Sequence, residues 1–301
     1  MHIGTKIRKL GALLMSALTL IAAAGCQSSS GSEVSQTETA VTPTDVTGDV
    51  TITTFDVGKA DAMIIQTANT VTVIDAGNKG DGKKIEKYLA AQGIDTVNTL
   101  IITHFDKDHV GGAARVINRL KVETICVPDY TSAGDEYQSF MEKVNELGKE
   151  LTVMKTGTDT AWTADDAHFR LYAAKETYYG KDEENDFSLV LHMQHGANTF
   201  LFAGDAEVAR QREIISLKLG QITYLKFPYH GNYMSTTEDF LNATNPKYAV
   251  VCCSEEENAD PSTVETLKTR GVEAYYTTNG DITAVCDGSK ITFTQGAAAV
   301  S

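Results

Sequence analysis

The chain has 301 residues, with 26 Lys and Arg against 40 Asp and Glu and a formal net charge of -14. That imbalance excludes a broad basic surface, so tight sequence-independent binding of polyanions by counterion release is disfavoured, while a local cation or metal could still attract a phosphate. Residues 49–295 are enough for one large α/β domain with a substantial core.

Met1 to Cys26 reads as an export signal: Lys6, Arg8 and Lys9 precede the apolar run LGALLMSALTLIAAA and then Gly25-Cys26. The run is too short for a comfortable membrane span. Its Ala-Gly-Cys ending resembles the lipobox of bacterial lipoproteins, although Ala23 stands where Leu is usual. That resemblance implies removal of residues 1–25, lipidation of Cys26 and anchoring to the outside of a bacterial cell membrane. A plain secretory signal with an incidental cysteine is the alternative. Residues 26–48, with almost no large apolar side chains, suit a flexible tether.

The strand-like segments DVTITTFDV, DAMIIQT and NTVTVIDAG follow with short turns, predicting an antiparallel meander. DGKKIEKYLAAQG then has helical spacing and a terminal glycine, and VNTLIITH reads as a buried strand, which makes a βαβ step. Helix HVGGAARVINRL, strand VETICVP, helix DEYQSFMEKVNELGKE and strand LTVMKT continue the pattern. Between Trp162 and Glu184 only HFRLYAA reads as a strand, and KETYYGKDEEN reads as a polar loop. A second half opens with SLVLHMQHG and NTFLFAGD, a hairpin turning at HGAN. Helix DAEVARQREIISL, strand QITYLKF, helix STTEDFLN, strand KYAVVCC, helix STVETLKTRG and strands VEAYYTT, DITAVCD and KITFTQ complete it, leaving residues 296–301 as a tail. Cys126, Cys252, Cys253 and Cys286 all lie in β-like apolar stretches without CxxC spacing, which predicts buried free thiols, with a single disulfide as the alternative.

The densest chemistry is ITHFDKDHVGG, residues 102–112. His104 stands where a buried strand emerges, Asp106 follows two residues on, and Asp108 with His109 come just before a helix. Charges so crowded are unfavourable unless a cation draws them together. Gly111 and Gly112 allow that first helical turn to approach closely. The bland alternative is a solvated loop in which Asp108 caps the helix.

HFDKDH resembles the metal motif of the metallo-β-lactamase superfamily, His-x-His-x-Asp-His, with Asp106 in place of the middle histidine. This variant is similar to the hydrolase domain of bacterial DNA-uptake competence proteins and to surface phosphorylcholine esterases. FDVGKADAMII, VIDAGN, NDFSLVL with FLFAGDAE, and LKFPYHGNYMS agree in order. The resemblance implies a four-layer αββα sandwich over residues 49–295. It also implies one metal position held by His104 and Asp106, another by Asp108 and His109, with Asp205 as the bridge and His230 as the last ligand. Each of these residues follows an apolar strand at one sheet edge, where ligand sites collect. Asp61 and Asp75 then look like carboxylates that orient ligands or fix loops.

Two departures shape the functional reading. The superfamily at large supplies another histidine where this chain has Asn185-Asp186. His168, His192 and His195 are the nearest histidines, and the latter two suit a strand face and a hairpin turn. The competence relatives also tend to carry paired histidines before Gly-Ser and an Asn-aromatic-His-Pro segment. Here Tyr229-His230-Gly231-Asn232 and Asn258-Ala259-Asp260-Pro261 stand instead, so either Tyr229 or Asp260 substitutes for the lost imidazoles in catalysis, beside Asp108 and Asp61, or the activity is reduced. An oxygen-rich donor set suits one or two divalent ions, Zn(II) or Mn(II), which acidify a water and clamp the oxygens of a phosphoryl group.

The resulting expectation is a metal-dependent hydrolase at the cell surface that cleaves phosphodiesters, such as extracellular nucleic acid or nucleotides. Phosphorylcholine or another cell-envelope phosphoester is the alternative substrate. A metal-bound lipoprotein that binds a ligand with little turnover is the alternative of another class.

Overall fold

The computed structural model describes residues 46, 48–180 and 184–296. The expected signal peptide, Cys26, most of the tether and the last five residues lie outside the described residues. Those described belong to one compact unit, Thr42–Ser301. No helix among them is long and apolar enough to cross a membrane.

The first half contains β1 (Val50–Thr54), β2 (Ala62–Gln66), β3 (Val71–Ala76), α1 (Gly82–Ala91), β4 (Thr96–Ile101), α2 (Lys107–Val110), α3 (Ala113–Arg119), β5 (Lys121–Pro128), α4 (Asp135–Glu146) and β6 (Thr152–Met154). The meander β1–β2–β3 is antiparallel, as its short turns predict, and β3 to β6 run parallel. The second half contains β7 (Asp159–Ala164), β8 (Ala167–Tyr172), β9 (Val190–His195), β10 (Asn198–Phe202), α5 (Val208–Leu217), β11 (Tyr224–Lys226), α6 (Thr237–Thr244), β12 (Tyr248–Val251), α7 (Pro261–Thr269) and β13 (Glu273–Tyr276). β14 (Ile282–Cys286) and β15 (Ile291–Gln295) follow.

Two sheets result, ordered β15-β14-β1-β2-β3-β4-β5-β6 and β13-β12-β11-β10-β9-β8-β7. Strand alternation sorts the apolar side chains into layers. In β2, Met63 and Ile65 join Phe169, Met193, Phe200 and Phe202 in the core between the sheets, whereas Ile64 packs with Ile85, Leu89 and Val116 on the helical side. Leu201, Leu225 and Ala249 meet Ile214, Phe240 and Leu241 on the opposite outer face. The order of layers is therefore helix, sheet, sheet, helix, the αββα sandwich expected.

Three differences from the sequence expectations have local causes. The helix expected over 109–120 is broken into α2 and α3, because Gly112 packs so closely that a Cβ there would lie 2.1 Å from the Ala76 carbonyl oxygen. β14 and β15 belong to the first sheet rather than the second, with β14 antiparallel to β1. Asp159–Ala164, which the sequence pattern leaves unassigned, is an exposed edge strand paired with β8.

The four cysteines at 126, 252, 253 and 286 are free and buried, as their surroundings predict.

Candidate metal centre

The site gathers where β3, β4, β10 and β11 end and β2 begins, the edge at which ligand sites form in α/β sheets. Asp108, His109, Asp205 and His230 each offer a ligand atom, all within 4.8 Å of one another. Asp205 Oδ2 lies 2.9 Å from His230 Nε2 and 3.2 Å from His109 Nε2, and Asp108 Oδ2 lies 3.1 Å from His230 Nε2. His104 stands against His109 with ring centroids 4.0 Å apart, and its Nε2 is 3.8 Å from Asp106 Oδ2. The six residues expected as ligands, spread over more than a hundred positions, are thus brought together.

The backbone is bent to achieve this. Asp75, Tyr229 and His230 adopt φ of 55°, 49° and 52°, a left-handed conformation that costs roughly 1–2 kcal/mol per residue outside glycine. Gly204, at φ 54°, passes so close to Ser188 that an added Cβ would lie 2.9 Å from its side chain, and it places Asp205 at the mouth of the second sheet.

Hydrogen bonds orient all three imidazoles alike. His230 Nδ1 is 3.0 Å from the Cys252 carbonyl, which only accepts, so Nδ1 carries the proton and Nε2 faces Asp108 and Asp205. His109 Nδ1 donates to Asp75 Oδ2 at 2.8 Å. Asp75 also accepts from the Thr103 amide and hydroxyl, at 2.8 and 2.7 Å. With its proton given to Asp75, the Thr103 hydroxyl accepts from His104 Nδ1 at 3.1 Å. His104 Nε2 is then a lone pair, fully buried and without a hydrogen-bond partner. A carboxylate behind His109, a carbonyl behind His230 and a carboxylate-bound hydroxyl behind His104 are partners of the kind that fix tautomers in metal sites.

Residues 55–255 match the sequence profile of the metallo-beta-lactamase superfamily. The chain belongs to that superfamily. It is 27% identical over 205 residues to Recombination protein 2 of Haemophilus influenzae, covering 66% of this chain and 24% of that one. It is 26% identical over 170 residues to ComE operon protein 3 of Bacillus subtilis, covering 56% of this chain and 21% of that one. Competence protein ComA of Neisseria gonorrhoeae is 24% identical over 203 residues, covering 66% of this chain and 26% of that one. The chain spans about a quarter of the length of these relatives. Among solved structures, unliganded yeast PDE1 superposes with a TM-score of 0.51 at 11% identity, over 78% of this chain and 99% of that one. A CmlA beta-hydroxylase superposes with the same TM-score of 0.51 at 13% identity, over 78% of this chain and 53% of that one. These two show the fold alone.

The metallo-beta-lactamase superfamily uses divalent metals, and the donor set here fits one. Asp61, Asp75 and Asp205 are buried, with Asp108 and the partly exposed Asp106 beside the same histidines, and among the described residues the one lysine ammonium buried there is Lys226, against Asp61 and Asp205. Buried charges so unbalanced call for further positive charge. In the ionisation of the side chains, protons stand in for it. Burial depresses the His109 and His230 pKa values, but Asp205 and Asp75 at His109, and Asp205 and Asp108 at His230, outweigh burial. His109 is thereby held well above its usual value, and His230 rises to about 9. Burial and the neighbouring His109 charge hold His104 down to about 3, as a neutral ligand. Burial raises the Asp106 carboxyl to about 6. Burial acts in the same sense on Asp205, but His230, His109 and Lys226 outweigh it and keep the carboxyl well below the usual range.

The remaining sequence candidates divide. Asp61 is fully buried beneath the cluster, 3.7 Å from His230 Nδ1 and 3.9 Å from His109 Nδ1, and in contact with Lys226 Nζ. Tyr229 joins the site through its backbone, its amide 3.4 Å from the Gly204 carbonyl oxygen. Burial and the Glu207 carboxylate, with which its hydroxyl pairs, raise its pKa. Asp260 has a structural task, because its Oδ1 accepts from the Ser262 amide at 2.7 Å and caps α7, with Pro261 at the first helical position. Where the superfamily at large has its further histidine, Asp186 Oδ1 accepts from the Glu207 and Arg210 amides at the start of α5, and Asn185 donates to Glu207. His168, His192 and His195 lie on β8 and β9 and in neither donor group found among the described residues.

Lys226 was not among the candidates read from the sequence. Its signal was present, since a lysine between Leu225 and Phe227 in an apolar parallel strand has no route to solvent.

Proposed function

We propose that the chain is a metal-dependent phosphodiesterase acting outside the cytoplasm, anchored through Cys26, with a short nucleic acid, a nucleotide or a cell-envelope phosphodiester as substrate. The observation that carries the reading is the common orientation of three buried imidazoles, each with Nδ1 committed behind it and Nε2 directed towards the carboxylate cluster. Asp108, His109, Asp205 and His230 hold one divalent ion, Zn(II) or Mn(II), and His104 with Asp106 and the shared Asp205 hold a second. When bound, the metal supplies Lewis acidity that activates water and offsets phosphoryl charge.

Around it, Asp75 and the Cys252 carbonyl keep the rings in register, Asp61 supports the base of the site, and the Tyr229 hydroxyl, paired with Glu207, would have to leave that carboxylate before it could donate to a substrate oxygen. The competence and recombination names of the curated relatives support a nucleic-acid substrate. The net charge of -14 supports a short one, because it disfavours the counterion release on which extended duplex binding depends.

A second reading, ligand binding without turnover, is favoured by Asp260, whose carboxylate is committed to a helix cap. Metal-reconstituted protein assayed on bis-p-nitrophenyl phosphate, p-nitrophenyl phosphate and a chromogenic lactam separates the two. The expected result is turnover of the diester with Mn(II) or Zn(II) and little with the others. Bound metal without turnover of any of them sinks the phosphodiesterase and leaves the binding module.

A further inference from the structure

Lys226 ends β11 with its side chain fully buried, an expensive location for an ammonium unless carboxylates and acceptors surround it. Its Nζ contacts Asp61 Oδ2, donates to the Gly204 carbonyl at 3.0 Å and lies 3.4 Å from Asp205 Oδ1. Every polar partner of Nζ, two carboxylates and a carbonyl, is an acceptor, which is the setting of an ammonium. The two oxygens of Asp205 therefore face different partners. Oδ1 is turned to Lys226, and Oδ2 is turned to His109 and His230 at 3.2 and 2.9 Å.

Asp61 precedes β2 in the first sheet, whereas Lys226 and Asp205 follow the second, so one ammonium joins the two sheets directly under the donor cluster. No other Lys or Arg is ion-paired to a cluster carboxylate among the described residues. A site needing only added positive charge could take it from the cations it binds. An ammonium that competes with a cation for the same carboxylate requires a different explanation, and the direction of Asp205 supplies it.

We propose that Lys226 is a positioning residue that makes Asp205 a one-oxygen donor: by holding Oδ1 it leaves only Oδ2 to the metal. The inference rests on the metal-centre reading above. It has a distinguishing signature, because positioning and simple electrostatics predict different results. Removing a nearby positive charge alone should tighten cation binding by Coulomb's law, and removing it together with one carboxylate should leave binding about unchanged. Losing the clamp lets Asp205 rotate and binds the cation less well, by about 10- to 100-fold as for other groups that orient ligands.

Lys226→Met alone leaves Asp61 buried and uncompensated, so the informative variant is Lys226→Met with Asp61→Asn, which removes the pair while preserving its summed charge. Its fold is checked by circular dichroism and thermal unfolding, Mn(II) affinity by calorimetry, and coordination by the visible absorption of the Co(II)-loaded protein. The double variant is expected to stay folded, to bind Mn(II) about 10- to 100-fold more weakly, and to show a weaker Co(II) band as Asp205 adds its second oxygen. Lys226→Gln with Asp61→Asn returns an N–H to Asp205 and should recover part of both properties.

Equal or tighter Mn(II) binding with an unchanged Co(II) spectrum, in whichever of the two double variants folds, overturns the inference and leaves the metal centre intact. Wild-type protein that takes up neither Mn(II) nor Co(II) overturns the metal centre itself and this inference with it.

Discussion

The two sides of the donor cluster are built to different standards. Around Asp108, His109 and His230, the donors converge on Asp205 Oδ2 and each ring has its Nδ1 bound at 3.0 Å or less. Around His104 and Asp106 there are fewer donors, a separation of 3.8 Å and an aspartate whose side chain is 42% exposed. The donor that would complete this side in the superfamily is replaced by Asp186, which caps a helix. On the proposed metal reading, a fuller donor set beside a sparser one would give unequal affinities, with the Asp108, His109 and His230 side the tighter.

The largest effect should come from the residue both sides share. Asp205→Ala is expected to lower metal content and phosphodiester turnover by more than about 100-fold, beyond what loss of an orienting group costs. The fold should be retained, because Lys226 keeps Asp61 and the Gly204 carbonyl as partners. Elemental analysis beside steady-state kinetics checks this, and wild-type turnover in the variant removes Asp205 from the mechanism.

The comparison itself is broken or sharpened by His230→Ala against His104→Ala. The first should weaken the tighter equivalent of Mn(II) by about 10-fold or more, and the second should abolish only the weaker one. Calorimetric titration resolves both. If His104→Ala removes the tighter equivalent, the two sides have been ranked in the wrong order.

Acidity offers a third handle. Without metal, the Nε2 of His230 is protonated below about pH 9, so a cation must displace that proton. Metal affinity should therefore rise with pH, by up to about tenfold per unit for each displaced proton, with the His230 contribution ending above about 9 and His109, also held well above its usual value, adding its own. The sign is that of competition, since the raised pKa favours the metal-free state at low pH. Proton release measured in buffers of different ionisation heat should fall as pH passes about 9 and should be smaller in His230→Ala at neutral pH, and an unchanged release in that variant would show that His230 is not a ligand.

What could be read from the sequence depended on whether the determinant was local. The HFDKDH cluster and Asp205 at the end of FLFAG were legible because each follows a buried strand, and the αββα layering followed from the resemblance those motifs carry. The partner of a strand is not local, so β14 pairing with β1 across more than two hundred residues left no mark in DITAVCD. The break at Gly111-Gly112 was hidden because the helical spacing of HVGGAARVINRL runs through it, while the cause is the Ala76 carbonyl contributed by β3. Lys226 escaped for a related reason, since its meaning depends on Asp61, which is far away in the chain.

Asp260 shows the opposite error, in which a local rule was passed over for a distant analogy. Asp-Pro-Ser-Thr is a helix start, with a carboxylate able to accept from the second helical amide and a proline where no amide is needed. The 2.7 Å bond to Ser262 bears out that local logic. The smallest expected effect follows: Asp260→Ala should lower stability by about 1 kcal/mol and leave diester turnover close to wild type, whereas Asp260→Ser, which still caps, should leave both unchanged. Denaturant unfolding together with the diester assay separates the two roles. A large fall in turnover for both variants, with stability preserved in the serine form, would give Asp260 a part in the chemistry after all, and would move the edge of the active site across the second sheet to the start of α7.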